Sequence, residues 1–201
     1  MQPIFIKEFL PKEILTVVHN YCLLKYQNPE YLNNDSQTQS FVGEHGDYLM
    51  EALMDLSTPV IEQNVGKKLW PTYTYFRIYD KGSDLKTHTD RSSCEFTVAL
   101  CLASDPVDQP YEIFIGERDE TSDYKYYNQE SKKYERLKID HKFPMIRNNA
   151  VIFKGMEKLH WREYCDLDHY MTVFLHYVDQ EGPYKEHKYD GRHQLGTRNR
   201  K

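Results

Sequence analysis

A chain of 201 residues with 39% hydrophobic and 28% charged side chains has the balance of one globular domain with a sizeable core, which excludes an extended disordered chain. Its net charge of −5 gives no general pull on a phosphate backbone and argues against a nucleic-acid partner. The four cysteines (Cys22, Cys94, Cys101 and Cys165) are scattered without a C-x-x-C pair, and no basic leader or membrane-length apolar run occurs. This pattern excludes a disulfide framework and a membrane span, and points to reduced thiols in a cytoplasmic protein.

Residues 4–10 read as a short first strand. Pro11 then starts a helix through about Tyr26, with Ile14, Leu15, Val18 and Cys22 near helical spacing. Gln27 to Ser40 is rich in Asn, Gln and Ser and reads as a loop. Residues 47–65 read as helical, with Tyr48, Leu49, Ala52, Leu53 and Leu56 on the apolar side. Ser57-Thr58-Pro59 interrupts that run and can restart a helix, and Gly66 is placed to cap its end. After Trp70-Pro71 aromatic and β-branched residues alternate, and strands are predicted over 72–79, 94–102, 111–115, 150–153 and 170–178. Between Arg118 and His141 lies a polar insert rich in Tyr and Lys, which reads as a solvated hairpin or flap. Interleaved aromatic and basic residues there could also grip a peptide or a base. Residues 181–201 show no period and read as a partly ordered tail behind a single domain over 1–180. Helices first and strands afterwards predict an α+β fold with a β-sandwich core.

The stretch Tyr73 to Asp90 carries the chemistry. Tyr73, Tyr75, Arg77 and Tyr79 share one face of a strand, and His88 and Asp90 stand two residues apart beyond the Gly82 turn. A second His-x-Asp, His45-Gly46-Asp47, sits in a Gly-flanked loop opening a helix with no strand to carry it; helix capping by Asp47 is its expected role. His160 follows one apolar strand and precedes another, and is the candidate third ligand to His88 and Asp90. Its alternative is a core histidine beside Trp161 with a satisfied hydrogen bond. Two His and one Asp leave coordination positions open, as at non-haem Fe(II), whereas a structural zinc would close its fourth position, usually with Cys.

The order of these pieces is a strand, Tyr79-Asp80-Lys81-Gly82, His88-Thr89-Asp90, the strand with Phe96-Thr97-Val98-Ala99-Leu100, Asn149 to Phe153, then His160. In this order, and in the opening Phe5 to Pro11 followed by a helix, the chain resembles the 2-oxoglutarate- and Fe(II)-dependent dioxygenases of the prolyl-4-hydroxylase-like branch. Its His160-Trp161-Arg162-Glu163 and Phe174 to Asp179 motifs are similar to those of a bacterial and phage subgroup. The resemblance covers about residues 4–180. It implies a double-stranded β-helix, or jelly roll, with supporting N-terminal helices. It implies Fe(II) held by His88, Asp90 and His160, with 2-oxoglutarate and O2 as co-substrates. A peptidyl residue or a small molecule would be hydroxylated, with release of succinate and CO2. Tyr79 matches a family tyrosine that hydrogen-bonds 2-oxoglutarate. The family places Arg or Lys nine or ten residues after the second His to hold the distal carboxylate. Those positions are His169 and Tyr170 here, so His169, Arg77 and Arg162 are all candidates. Arg91 and Trp161 flank the ligands and are candidates for substrate orientation or support of the site. The family's Gly-Gly-x-Thr segment is not evident at Pro110 to Phe114, which argues against a standard prolyl peptide. The competing readings are a non-catalytic cupin-like module or pseudoenzyme that binds metal or ligand, and a purely structural or interaction domain in which the histidines are core residues.

Overall fold

The computed structural model describes residues 1–28, 37–38, 41–128 and 131–197; most of the predicted Gln27–Ser40 loop and the last four residues of the tail lie outside them. Thirteen helices and strands follow in chain order: β1 (Ile4–Ile6), α1 (Lys12–Tyr26), β2 (Phe41–His45), α2 (Tyr48–Val65), β3 (Leu69–Asp80), β4 (Leu85–His88), β5 (Phe96–Asp105), β6 (Ile113–Arg118), β7 (Lys125–Asn128), β8 (Lys133–Phe143), β9 (Ala150–Phe153), β10 (Leu159–Arg162) and β11 (His169–Asp179). Short 3-10 turns cover Ser92–Cys94 and Lys185–Gly191. The strands form two antiparallel sheets, ordered β1-β9-β5-β11-β3-β2 and β4-β10-β6-β8-β7. They face each other as a jelly roll.

Strand β5 shows why the sequence folds this way. Nine of its ten residues are buried, because both faces of the first sheet are covered. Val98, Leu100 and Leu102 turn outward with Phe76, Ile78, Val173 and Leu175, under Val18 and Cys22 of α1 and Met50, Leu53, Met54 and Ile61 of α2. Ala99 and Cys101 turn inward with Phe153, Tyr170 and Phe174 to meet Leu85, Ile113 and Ile115 of the second sheet. Each large apolar side chain so buried contributes roughly 1.5–3 kcal/mol by leaving water.

Several expectations are corrected. Strand β1 ends at Ile6, because Glu8 takes a left-handed φ of 53° and Leu10 leaves the sheet to bond its N–H to Asn148 Oδ1 at 2.8 Å. Helix α2 runs unbroken through Pro59; that residue is exposed, where solvent can take the bond its missing N–H leaves open. The helix buries Met50, Leu53, Met54, Ser57 and Ile61, while Tyr48, Ala52 and Leu56 face solvent. Strand β2 had no counterpart in the sequence reading, and it carries His45. Strand β6 begins at Ile113, not Tyr111, and runs to Arg118. The insert forms the β7–β8 hairpin, and β8 continues along β6.

Beyond β11 the chain lies against β3, with Lys188 Nζ 3.5 Å from the centroid of the Trp70 ring. Arg192 makes a 2.5 Å ion pair with Glu51 and donates to the Thr72 carbonyl at 2.9 Å. No helix among the described residues is long and apolar enough to cross a membrane.

Candidate metal centre

Strands β4 and β10 are antiparallel neighbours, and their register sets His88 directly opposite His160. Residues opposite each other on antiparallel strands point to one face, and the two imidazole rings lie 4.2 Å apart. Asp90 follows just past the end of β4, where its N–H donates to the Gly155 carbonyl at 2.9 Å. Asp90 Oδ1 is 3.6 Å from His88 Nε2 and 3.5 Å from His160 Nε2. One ligand atom from each of the three residues lies within 4.8 Å of the others.

The other ring nitrogens fix what these atoms are. His88 Nδ1 sits 2.8 Å from the Lys86 carbonyl, and His160 Nδ1 sits 3.1 Å from the Lys158 carbonyl. A carbonyl only accepts, so each Nδ1 carries a proton, and in the neutral ring each Nε2 presents a lone pair. Three acceptors therefore converge with no donor between them. That arrangement repels itself without a cation, and the donor set of two imidazoles and one carboxylate fits a divalent transition metal with positions left open. Backbone carbonyls that orient ligating histidines are the usual support for such a set.

The rest of the cradle holds Asp90. Its Oδ2 accepts from Thr97 Oγ1 at 2.7 Å. Thr97 has one proton to give, so His176 Nδ1, 3.1 Å from Thr97 Oγ1, is the donor in that second bond. Gly155 makes room: a Cβ there would lie 2.1 Å from Asp90 Oδ2 and 2.5 Å from Thr97 Oγ1. Burial alone would raise the Asp90 carboxyl, but His160, His88 and His176, in their protonated forms, pull it well below the usual carboxylate range. Burial pushes His88 down and His176 down to about 4. At neutral pH the carboxylate is charged and these two rings are neutral.

The three residues line one side of a cavity of about 460 Å³. Tyr73, Tyr75, Arg77 and Phe174 form part of its other walls, with His45, Arg91 and His176 also lining it.

No family model matches the sequence, and no curated protein matches it. Solved structures do. A prolyl-4-hydroxylase from Pseudomonas putida is similar with a TM-score of 0.60 at 14% identity, over 88% of this chain and 92% of that one. A prolyl hydroxylase from Trichoplax adhaerens, solved with a hypoxia-inducible-factor peptide fragment, gives 0.61 at 15% over 89% and 84%. The epimerase SnoN from nogalamycin biosynthesis, solved with Fe3+, alpha-ketoglutarate and nogalamycin RO, gives 0.60 at 11% over 88% and 78%. The fold is that of the 2-oxoglutarate- and Fe(II)-dependent oxygenases.

On this oxygenase fold the three candidate cations part ways. His169 lies at the start of β11 with its ring 4.8 Å from that of Tyr26, and it does not line the cavity. Arg77 does line the cavity and is buried. Its Nη1 donates to Thr38 Oγ1 at 3.2 Å and to Tyr79 OH at 3.3 Å, and its Nη2 donates to Gln37 Oε1 at 3.1 Å. Arg162 is fully buried and also lies near the Tyr79 ring. The two guanidinium carbons lie 5.7 Å (Arg77) and 5.8 Å (Arg162) from the Tyr79 ring centroid. Arg162 donates to the carbonyls of Tyr111 and Glu112 at 2.6 and 3.2 Å and to Tyr170 OH at 3.3 Å. It has no carboxylate partner among the described residues and does not line the cavity.

Arg91 lines the cavity, lies 4.4 Å from the Tyr73 ring centroid and pairs with Asp190 at 2.8 Å. Trp161 turns to the opposite face of β10 from His160 and packs on Phe114, so it does not face the cavity. His45, which the sequence pattern places in a loop, lies at the end of β2, lines the cavity and stacks on Tyr73 at 4.5 Å. Thr97, His176 and Gly155 also belong to the site, and the sequence does not single them out because their roles rest on contacts across strands. The only signals were a polar residue in an apolar strand, a histidine within Phe174 to Asp179, and a glycine just after β9.

Proposed function

We propose that the chain is an Fe(II)- and 2-oxoglutarate-dependent oxygenase that hydroxylates a small molecule or the side chain of a peptide. The observation that carries this reading is the convergence of two Nε2 lone pairs and one carboxylate oxygen on one point at the wall of a cavity. His88, Asp90 and His160 hold the metal. When bound, iron with 2-oxoglutarate and O2 supplies oxidative decarboxylation to succinate and CO2 coupled to C–H oxidation. The Lys86 and Lys158 carbonyls keep both rings in the ligating tautomer, and Thr97 and His176 hold Asp90 with one oxygen turned to the metal.

Arg77 receives the distal carboxylate of the co-substrate, because it is the buried cation that shares the cavity with the three ligands. A planar guanidinium suits a carboxylate in a bidentate pose. Tyr79, bonded to Arg77 Nη1, orients it. Arg162 is a second reading with its own support: a fully buried cation without a carboxylate is costly, and a co-substrate reaching past Tyr79 would neutralise it. Arg91, held over Tyr73 at the cavity wall, orients the substrate.

Similar folds support both substrate types, since one neighbour was solved with a peptide fragment and another with nogalamycin RO. A cavity of about 460 Å³ that must also admit the co-substrate favours a small reacting group. Four buried, unpaired cysteines support a reducing, cytoplasmic setting.

Incubation with Fe(II), 2-oxoglutarate and O2 should yield succinate, followed by NMR. R77Q should raise the KM for 2-oxoglutarate while R162Q leaves it near the wild-type value; the reverse assigns the carboxylate to Arg162. Metal binding without any succinate would leave the non-catalytic cupin-like module as the function.

A further inference from the structure

We propose that Trp161, Tyr124 and Glu163 form a relay that carries oxidising equivalents from the metal ligand His160 out to the hairpin surface. The proposal rests on the oxygenase reading above. His160 and Trp161 are consecutive on β10 and point to opposite faces, so one peptide unit links a metal ligand to an indole on the outer side. Trp161 is fully buried, stacked on Phe114 at 5.6 Å and lying 6.1 Å from the Tyr124 ring. A buried indole N–H needs an acceptor. Here the acceptor is the Tyr124 hydroxyl at 3.1 Å, and that hydroxyl donates its own proton to Glu163 Oε1. Glu163 is exposed and makes no ion pair among the described residues, so its carboxylate is open to a proton.

The three groups differ in kind, in the order a relay needs. Trp and Tyr are the most readily oxidised aromatic side chains, and a carboxylate accepts protons. Burial, and then the bond to Glu163, raise the Tyr124 phenol, so its proton stays in place while the ring is reduced. One-electron oxidation turns a phenol into a strong acid, and the proton then moves along a hydrogen bond that already exists.

The step balances as follows. Trp161 gives one electron to an oxidising equivalent at the metal centre, formed from O2 when no substrate is present. Tyr124 returns one electron to Trp161 and one proton to Glu163. The products are a metal centre reduced by one electron, intact Trp161, a neutral Tyr124 phenoxyl and a protonated Glu163. A soluble one-electron reductant such as ascorbate then restores Tyr124. The benefit falls on Tyr73 and Tyr75, which line the cavity and would otherwise be oxidised there.

The test uses the full chain loaded with Fe(II) and 2-oxoglutarate, exposed to O2 without substrate, freeze-quenched and examined by electron paramagnetic resonance, with succinate measured in the same samples. The wild type should show a phenoxyl signal that Y124F abolishes and E163Q diminishes several-fold. Peptide mass mapping should find several-fold more oxidation of Tyr73 and Tyr75 in Y124F. Succinate without a Tyr124-dependent signal, or E163Q indistinguishable from wild type, overturns the relay. Absence of succinate in the wild type defeats the oxygenase reading instead, and a second arm then decides the relay alone. There the metal-free protein is oxidised by a photogenerated ruthenium polypyridyl oxidant. Oxidation should settle on Tyr124 and be lost from it in E163Q; oxidation spread evenly over the tyrosines overturns the relay.

Discussion

In His45-Gly46-Asp47 the glycine has a φ of 68°, and the chain turns sharply between the two side chains. His45 stays on β2 and stacks on Tyr73, while Asp47 swings away to cap α2. Its Oδ1 accepts from Met50 N at 3.0 Å, and its Oδ2 takes Tyr21 OH and Lys25 Nζ. In His88-Thr89-Asp90 no such turn intervenes. Oδ1 of Asp90 remains directed at two ring nitrogens, while Thr97 takes only Oδ2. The same tripeptide pattern thus gives a saturated carboxylate in one place and a half-free one in the other. What separates them is how many of each carboxylate's oxygens the protein itself satisfies.

The largest break in that contrast is expected at the ligands. H88A or D90A should abolish stoichiometric iron binding by elemental analysis, while H45A should retain one equivalent. Equal loss in all three would mean the two motifs are not distinguished as described. Next comes Gly155→Ala, which places a methyl group 2.1 Å from Asp90 Oδ2. Overpacking of this kind costs about 1–3 kcal/mol. G155A should lower the melting temperature and weaken metal binding together, and a variant with wild-type metal affinity would contradict the close cradle. Thr97→Val keeps the shape and removes the hydroxyl between Asp90 and His176; loss of such a partner weakens metal affinity by about 10–100-fold, measured by competition with a chelator. The smallest effect on the metal belongs to D47A. It should cost about 0.5–2 kcal/mol of stability from the lost cap, read by urea denaturation, and leave iron affinity unchanged.

The parts of the fold that were legible in the sequence were those where local pattern and burial agree. Strand β9 falls at 150–153 as predicted, because all four of its residues are apolar and buried. Helix α2 is legible in the sequence, but only part of its buried face is: Leu49 and Leu53 pack into the core as expected, whereas Tyr48, Ala52 and Leu56 do not. Apolar residues occur on more than one side of it, and only the sheet beneath selects Met50, Met54 and Ile61 over Tyr48 and Leu56. Strand β2 escaped because a short Gly-containing segment becomes a strand only when β3 offers it an edge. The same division runs through the site. His88 and Asp90 are neighbours in sequence, and His160 stood out by its flanking strands. Gly155, Thr97 and His176 act through contacts between distant segments that no local pattern records. His169 had the expected spacing from His160, yet it packs against Tyr26, a helix residue whose position only the fold supplies.

The central claim is that His88, Asp90 and His160 hold an iron to which a keto acid can bind beside Arg77. Anaerobic addition of Fe(II) and then 2-oxoglutarate to the metal-free protein tests it most directly, followed by visible absorption. A metal-to-ligand charge-transfer band should appear in the wild type and be absent in H88A. No band in the wild type, with no iron retained by elemental analysis, would contradict the claim.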